Sequence, residues 1–369
     1  MFRFLFLVVW PLVHLYLAWR AASIPFVRAR ASRRAVFAGV IALGFLPFLT
    51  RRFGASAPHG LVVGVEAVAS TWIGISSLVF ATFLVVEIAT LFGFAFRDRA
   101  PRWRGWALVV AVALAGVGFA QGLRAPVVER HEVRLAGLPA ALDGTRAVVL
   151  SDTHLGVLLG PDWLAGRVDQ ILAERPDLIL LTGDIVEGRV HPALDEALSR
   201  QLSRLRAPLG TWGVPGNHEA HAGGAPAVRF LEAAGVRLLR DAWREAAPGL
   251  VLAGTDDERF HRDGPSPEAR LADALAGRPG GAATVLLSHR PRRAEQAAAA
   301  GVGLMLAGHT HAGQIWPFSL LAAVEHPLFA GRYDVDGMTV LVSRGAGTWG
   351  PRMRLWRRAD ILSVVLRAP

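Results

Sequence analysis

Four apolar stretches before residue 125, at 4–19, 35–50, 61–96 and 106–123, each end directly at an arginine. About 20 apolar residues in helical form cross a bilayer core, so a chain that begins this way is committed to placing much of its first third in lipid. The first two stretches are slightly short for a crossing and borrow flanking residues. The third holds 36 residues. At about 1.5 Å per residue it is too long for one crossing and too short for two with a turn, and it reads as one span near 73–96 preceded by an interfacial segment. The sequence thus predicts about four spans in a helical membrane domain over residues 1–124, with a second domain over 125–369.

The charge divides at the same place. Residues 1–124 hold 13 Arg and 3 acids, whereas the remainder holds 27 of each, so the whole net charge of +10 belongs to the apolar half. A neutral C-terminal half argues against a nucleic-acid partner, which needs clustered cations facing phosphates. Arg20, Arg28, Arg30, Arg33 and Arg34 separate the first stretch from the second, and Arg97, Arg99, Arg102 and Arg104 the third from the fourth. Only Arg51 and Arg52 separate the second from the third. The positive-inside bias puts the two Arg-rich loops in the cytoplasm and everything after residue 123 outside. This predicts a multi-pass protein of a bacterial inner or plasma membrane with an extracytoplasmic catalytic domain. Reading residues 1–22 as a cleaved signal peptide would leave Arg28, Arg30, Arg33 and Arg34 outside, and ranks lower. Glu66 suits the headgroup level, while Glu87 calls for a polar cavity or an Arg partner. The chain has no Cys, which excludes disulfides, zinc-thiolate sites and a thiol nucleophile.

From about residue 146, short apolar runs alternate with amphipathic stretches as in mixed α/β folds. The expected strands are 147–151, 178–182, 211–214, 250–254, 284–288, 304–307, 338–343 and 362–366. The expected helices are 162–174, 192–205, 226–234, 267–276 and 292–300, with prolines placed where a first helical turn tolerates the missing N–H.

Polar clusters recur just after these strands: Asp152 and His154, Asp184, Asn217 with His218 and Glu219, His289, then His309 and His311. All are carboxylate, amide or imidazole donors. On an extended segment, residues at i and i+2 project to the same side, so Asp152 with His154, and His309 with His311, are expected to reach one cation each. The glycines before Asp184, Asn217 and His309 are expected to allow tight turns. Each element alone carries little weight, but five clusters at five strand exits fit two adjacent divalent cations.

The order D-x-H, G-D, G-N-H-E, H, G-H-x-H resembles the calcineurin-like metallophosphoesterase superfamily over about residues 145–345. The phrases LTGDIVE at 181–187, VPGNHE at 214–219, AGHTH at 307–311 and VSRGAG at 342–347 look most like its bacterial membrane-associated branch. The resemblance implies a β-sandwich flanked by helices that holds two metals and cleaves phosphate esters. It implies Asp152, His154 and His311 on one metal, Asn217, His289 and His309 on the other, and Asp184 bridging them. His218 is implied as proton donor to the leaving alcohol or as donor to a nonbridging phosphoryl oxygen. Ala312 stands where relatives often have Gly, and Ala359 with Asp360 where they often have Pro-Glu. Two carboxylates do not cancel two divalent cations, so the site stays positive and suits a phosphoryl anion; Mn, Fe and Zn all accept such donors.

Glu219 reads either as orienting His218 or as a helix-start or surface acid. His191, His261 and His326 read as loop or surface residues, and His221 as a weaker substrate contact. Arg344 reads as a phosphate contact or a structural ion pair. The run Arg352, Arg354, Arg357 and Arg358 with Trp349 and Trp356 reads as a headgroup contact or, somewhat better, a solvated face. The leading expectation is a membrane-anchored phosphoesterase acting on phosphate ester or pyrophosphate bonds of a lipid-linked substrate. The alternatives are a nucleotide or nucleic-acid phosphodiesterase on the same fold, and a non-catalytic membrane sensor.

Overall fold

The computed structural model describes residues 5–53, 57–187, 192–221, 224–261 and 264–369. The chain forms two compact units. One comprises Met1–Leu123 with Ile315–Pro317 and Gly350–Trp356, the other Arg124–Gln314, Phe318–Trp349 and Arg357–Pro369.

The first unit is built on helices α1 (Trp10–Ala21), α2 (Arg33–Phe53), α3 (His59–Ala89) and α4 (Ala100–Gly122). Each packs on the next. Among the described residues, α2, α3 and α4 are long and apolar enough to cross a membrane, and the first stretch forms a shorter apolar helix, Leu7–Ala21. The third stretch departs from expectation. With no proline to interrupt it, α3 runs unbroken for 31 residues from His59, about 46 Å of helix. It stops at Ala89, short of Phe96, because the chain turns left-handed at Leu91 and Phe92.

Inside this unit Glu87 is fully buried and receives hydrogen bonds from Arg20 Nη2 (2.5 Å) and Arg104 Nε (2.7 Å). The partner is therefore a pair of arginines, which brings the C-terminal ends of α1 and α3 to the N-terminal end of α4. His14 is buried too, accepting from Trp72 Nε1 (2.8 Å), and it sits so close to Gly44 that a Cβ there would meet its ring at 2.6 Å. Small residues admit bulky ones between membrane helices in this way.

The second unit has two six-stranded sheets. The first runs β1 (Val127–Arg134), β12 (Asp360–Arg367), β2 (Arg146–Leu150), β3 (Leu178–Leu181), β4 (Thr211–Gly213) and β5 (Arg237–Leu238). The second runs β10 (Gly331–Val335), β11 (Met338–Val342), β9 (Leu304–Ala307), β8 (Ala283–Ser288), β7 (Leu250–Thr255) and β6 (Ala242–Ala247). Successive side chains of a strand face opposite ways. Val149, Leu178, Leu180, Leu362 and Val364 of the first sheet accordingly meet Leu252, Val285, Leu287, Leu304 and Leu306 of the second in one shared core.

Their sequence neighbours point outward onto helices. Val148, Leu150, Ile179 and Leu181 pack against α5 (Pro161–Ala173), α6 (Pro192–Leu202) and, beyond the short α7 (Asn217–His221), α8 (Ala225–Ala233). Leu286, Met305, Val340 and Val342 pack against α9 (Pro267–Leu275) and α10 (Ala294–Ala299). A final helix, α11 (Phe318–Glu325), follows β9. The result is the sandwich flanked by helices that the family resemblance implied.

Candidate metal centre

Strands β2, β3 and β4 are parallel neighbours in one sheet, and β8 and β9 in the other. Parallel strands end at a common edge, so the loops after them emerge together. Asp152 lies just beyond β2, Asp184 beyond β3, Asn217 beyond β4, His289 beyond β8 and His309 beyond β9. The strand-exit pattern is therefore the reason these donors meet.

The local geometry differs from the expected extended i, i+2 pairs. Asp152, His154, Asp184, His309 and His311 all have left-handed backbone, with φ of 52°, 46°, 51°, 71° and 49°. Non-glycine residues held there cost about 1–3 kcal/mol each and persist only where surrounding structure over-determines them. The convergence of these side chains is thus made by strained turns rather than by strand alternation. Of the three glycines before Asp184, Asn217 and His309, only Gly183 supplies a left-handed turn (φ 87°). Gly216 and Gly308 serve close approach instead: a Cβ would lie 2.2 Å from Asp184 Oδ1 at Gly216 and 2.2 Å from Asp152 Oδ2 at Gly308.

Two donor groups result, each with its ligand atoms within 4.8 Å of one another: Asp152, His154 and His311, and Asp184, His289 and His309. His154 Nε2 lies 3.0 Å from His311 Nε2, and His309 Nδ1 lies 3.2 Å from His289 Nε2. Asn217 Oδ1 joins the second group at 3.2 Å from His289 Nε2. Asp184 Oδ2 is 3.1 Å from His289 Nε2 and 4.0 Å from His154 Nε2, so it faces both groups. Imidazole nitrogens turned toward each other around buried carboxylates are a donor set that suits divalent cations of the Mn, Fe and Zn type.

Electrostatics follow from burial. In the metal-free protein burial disfavours a charged His289 ring, yet Asp184 and Asp152 outweigh it and lift His289 to about 10. Asp184 itself is held well below the ordinary carboxylate range by His289, His218 and His154, against the effect of its own burial. His309 is driven down by burial and by the cations of His289 and Arg290.

His218 sits beside these groups, with Nε2 4.0 Å from Asp184 Oδ2. Its Nδ1 is bound not by Glu219 but by Glu187 Oε1 at 2.9 Å, while Glu187 Oε2 lies 2.5 Å from His154 Nδ1. Burial works against the imidazolium, but Glu187 and Asp184 raise His218 to about 9. Although burial also opposes its ionisation, the two imidazoles hold Glu187 at about 2. Glu219 is fully buried and accepts from the backbone N–H of Asp184 (2.9 Å), Val186 (2.9 Å) and Gly216 (2.7 Å), so it ties two ligand loops together and is neither a surface acid nor the partner of His218. Three buried N–H groups converging on one carboxylate leave no signature in the local sequence.

Sequence reasoning also passed over Arg290, whose Nη1 lies 2.9 Å from His309 Nε2, whose Nη2 donates to Asn217 Oδ1 (3.2 Å) and whose Nε donates to Asp257 (2.6 Å). His326 is buried with its ring centroid 5.3 Å from that of His309, not at the surface. His261 lies between Asp241 (3.3 Å) and Asp256 (3.1 Å), a grouping also occupied by Arg240. His191 falls outside the described residues. His221 Nε2 meets Arg259 at 2.7 Å. Arg344 pairs with Glu129 (2.5 Å) and Asp360 (3.2 Å), the structural role of the two weighed. In the arginine run Arg354 is fully buried, Arg352 half-buried, and Arg357 and Arg358 exposed, so the run does not form one continuous exposed face.

Comparison with known proteins gives this arrangement a place. The calcineurin-like phosphoesterase family matches residues 145–313. A "Transmembrane protein with metallophosphoesterase domain" of Bos taurus is 34% identical over 278 residues, covering 71% of this chain and 62% of that protein. Its Danio rerio namesake is 31% identical over 272 residues, again 71% of this chain and 62% of that protein, so the match spans less than two thirds of both vertebrate relatives. An uncharacterized metallophosphoesterase of Aquifex aeolicus is 32% identical over 248 residues, 65% of this chain and 91% of that protein. Likeness over nearly the whole of a smaller relative, together with the family match over the segment that carries the donor loops, means that this chain belongs to the calcineurin-like metallophosphoesterases.

Proposed function

We propose that this protein is a membrane-anchored, dinuclear-metal phosphoesterase that hydrolyses phosphate ester or pyrophosphate bonds, with lipid-linked phosphates as its substrate class and its catalytic unit outside the cytoplasm. The observation that carries the reading is the position of Asp184 Oδ2, 3.1 Å from one donor group and 4.0 Å from the other. Asp152, His154 and His311 would hold one cation, Asn217, His289 and His309 the second, and Asp184 both. When bound, two such cations supply Lewis-acid charge and a nucleophile at neutral pH.

The chain's own residues do the rest. Glu187 fixes His218 through Nδ1, which leaves Nε2–H turned toward Asp184 and the donor groups. With its pKa raised to about 9, His218 is an imidazolium at neutral pH, able to give the Nε2 proton to the departing oxygen as the P–O bond breaks. The same carboxylate orients His154, so that its Nε2 faces the cluster. Arg290 adds a fixed positive charge beside His309 and Asn217, where a phosphoryl oxygen is stabilised.

The test is elemental analysis of purified protein together with a panel of mono-, di- and pyrophosphate esters, including an alkyl phosphate in detergent micelles and a soluble aryl phosphodiester. About two cations per chain and preference for the amphiphile are expected. Asp184→Ala should lose metal from both groups, because one side chain serves both. Stoichiometric metal retained in that variant would overturn the bridging assignment. Preference for nucleotide or aryl diesters would replace the substrate class.

A further inference from the structure

Helix α11 has the sequence FSLLAAVE, and none of its residues is buried. Phe318 is 43% exposed, Leu320 60%, Leu321 68% and Val324 85%. Four large apolar side chains open to solvent on one short helix mark an interaction surface, not a packing remnant. This surface is attached to the metal centre. Ser319 approaches the turn that carries His311 so closely that a Cβ on Gly313 would meet its Cα at 2.1 Å. At the other end, His326 meets the ring of His309 edge-to-face, and Thr310 Oγ1 donates to Phe329 O at 2.6 Å. A further exposed apolar residue, Trp349 at 52%, lies with its ring centroid 6.0 Å from that of His218. Its backbone N–H and C=O are both bound by the side chain of Gln314, at 2.9 and 3.1 Å.

On either side of this surface the chain runs into the helical unit. Ile315–Pro317, directly before α11, and Gly350–Trp356, directly after Trp349, belong to the helical unit. Met353 and Ile315 lie in its core with Leu78, Phe83, Ala111 and Ala115. There Arg354 N–H donates to Gly118 O (2.9 Å) and Trp356 N–H to Gln121 Oε1 (2.9 Å). Phe318 and Trp349 are therefore each one Cα step, about 3.8 Å, from a segment seated among the membrane helices. Exposed Phe, Leu, Val and Trp held there are suited to the lipid interface, where an aromatic ring with one polar edge is favoured.

We infer that α11 and Trp349 form a lipid-binding face that lies in the bilayer interface and guides the hydrocarbon chain of an amphiphilic phosphoester, so that its phosphate reaches His218. The substrate half of this inference rests on the function proposed above; the membrane half does not. Because the chain has no Cys, a single label reports unambiguously. Val324→Cys, carrying a fluorophore and reconstituted in phosphatidylcholine–phosphatidylglycerol vesicles, should be quenched by lipids brominated in the acyl chain and shielded from aqueous iodide. The same label at Glu295→Cys on α10 should show the reverse. Iodide access at position 324 without bromolipid quenching overturns the proposal, and so does shielding from both quenchers, which would mean a second copy of the chain covers α11.

For the substrate half, inhibition of aryl phosphate hydrolysis by dodecyl phosphate and by inorganic phosphate is compared in the wild type and in a variant combining Leu320→Ser, Leu321→Ser and Val324→Ser. Dodecyl phosphate should bind more tightly than phosphate, and the ratio should fall about tenfold in the variant, the effect of losing contact with roughly two methylenes. An unchanged ratio overturns the guiding role while the quenching result stands. Absence of any aryl phosphate hydrolysis in the metal-loaded wild type would instead count against the proposed function.

Discussion

Glu187 is where two tasks meet, because its two oxygens hold the Nδ1 atoms of His154 and His218 at once. His218→Asn should retain metal and lose about 10²–10⁴ in rate on alkyl esters, with a smaller loss on nitrophenyl esters, whose leaving group needs little protonation. Equal losses on both would move His218 to stabilising a phosphoryl oxygen. Glu187→Gln should shift the basic limb of the kcat/KM profile to lower pH. The sign follows from the chemistry: the acid must be protonated, the carboxylate raises its pKa to about 9, and removing that charge lets the proton leave sooner. A further prediction concerns His289, which in the metal-free protein stays protonated up to about pH 10. A cation has to displace that proton, so uptake should release protons and weaken as pH falls. Calorimetry in buffers of different ionisation enthalpy measures the release, and an uptake heat independent of buffer would contradict it.

At the scale of the element, the ligand loops are packed so tightly that two glycines act as spacers. Gly308→Ala would put a Cβ 2.0 Å from Ser151 Oγ and 2.2 Å from Asp152 Oδ2. Gly308 is not among the left-handed residues, so alanine meets no backbone penalty and the whole effect is steric. It should displace Asp152, reduce bound metal and cost about 1–3 kcal/mol of stability. Metal content and thermal unfolding of the variant check this, and unchanged values for both would mean that the loop relaxes freely. The sheets show a related contrast. All eight strands expected from apolar runs are interior strands, buried on both faces, while the four that sequence reasoning missed, β1, β5, β6 and β10, are the four sheet edges. Edge strands carry polar residues such as those of VVERHEVR in β1 and do not read as strands by hydrophobicity.

For the whole molecule, the contact of Arg20 and Arg104 with Glu87 joins the helix ends that border the two Arg-rich connections. Nine arginines separate the apolar stretches on the side assigned to the cytoplasm, against two on the side assigned outside. The phosphoesterase unit is therefore expected outside the cytoplasm. Fusions after Pro369 of a periplasm-active and a cytoplasm-active reporter, made separately, decide this. Signal from the cytoplasm-active fusion alone would reverse the topology and the leaflet from which substrate is drawn, and would leave the metal-site argument intact because that rests on other residues.

The sequence by itself determined the membrane half, the interior strands and the donor inventory, because each is written locally: as apolar length, as continuous β-forming runs, or as Asp, Asn and His at strand exits. What only the tertiary structure decided depends on residues distant in the chain. Glu187 reaches His218 across 31 positions, Glu219 ties its own loop to that of Asp184, and Arg20 crosses 67 positions to Glu87. The left-handed turns at Asp152 and His309 were hidden for the same reason, since hydrogen bonds from one loop to the other hold that strain in place: His309 N–H donates to both Asp152 oxygens at 3.1 Å. Local composition records which groups are available, and folding alone fixes which of them face one another.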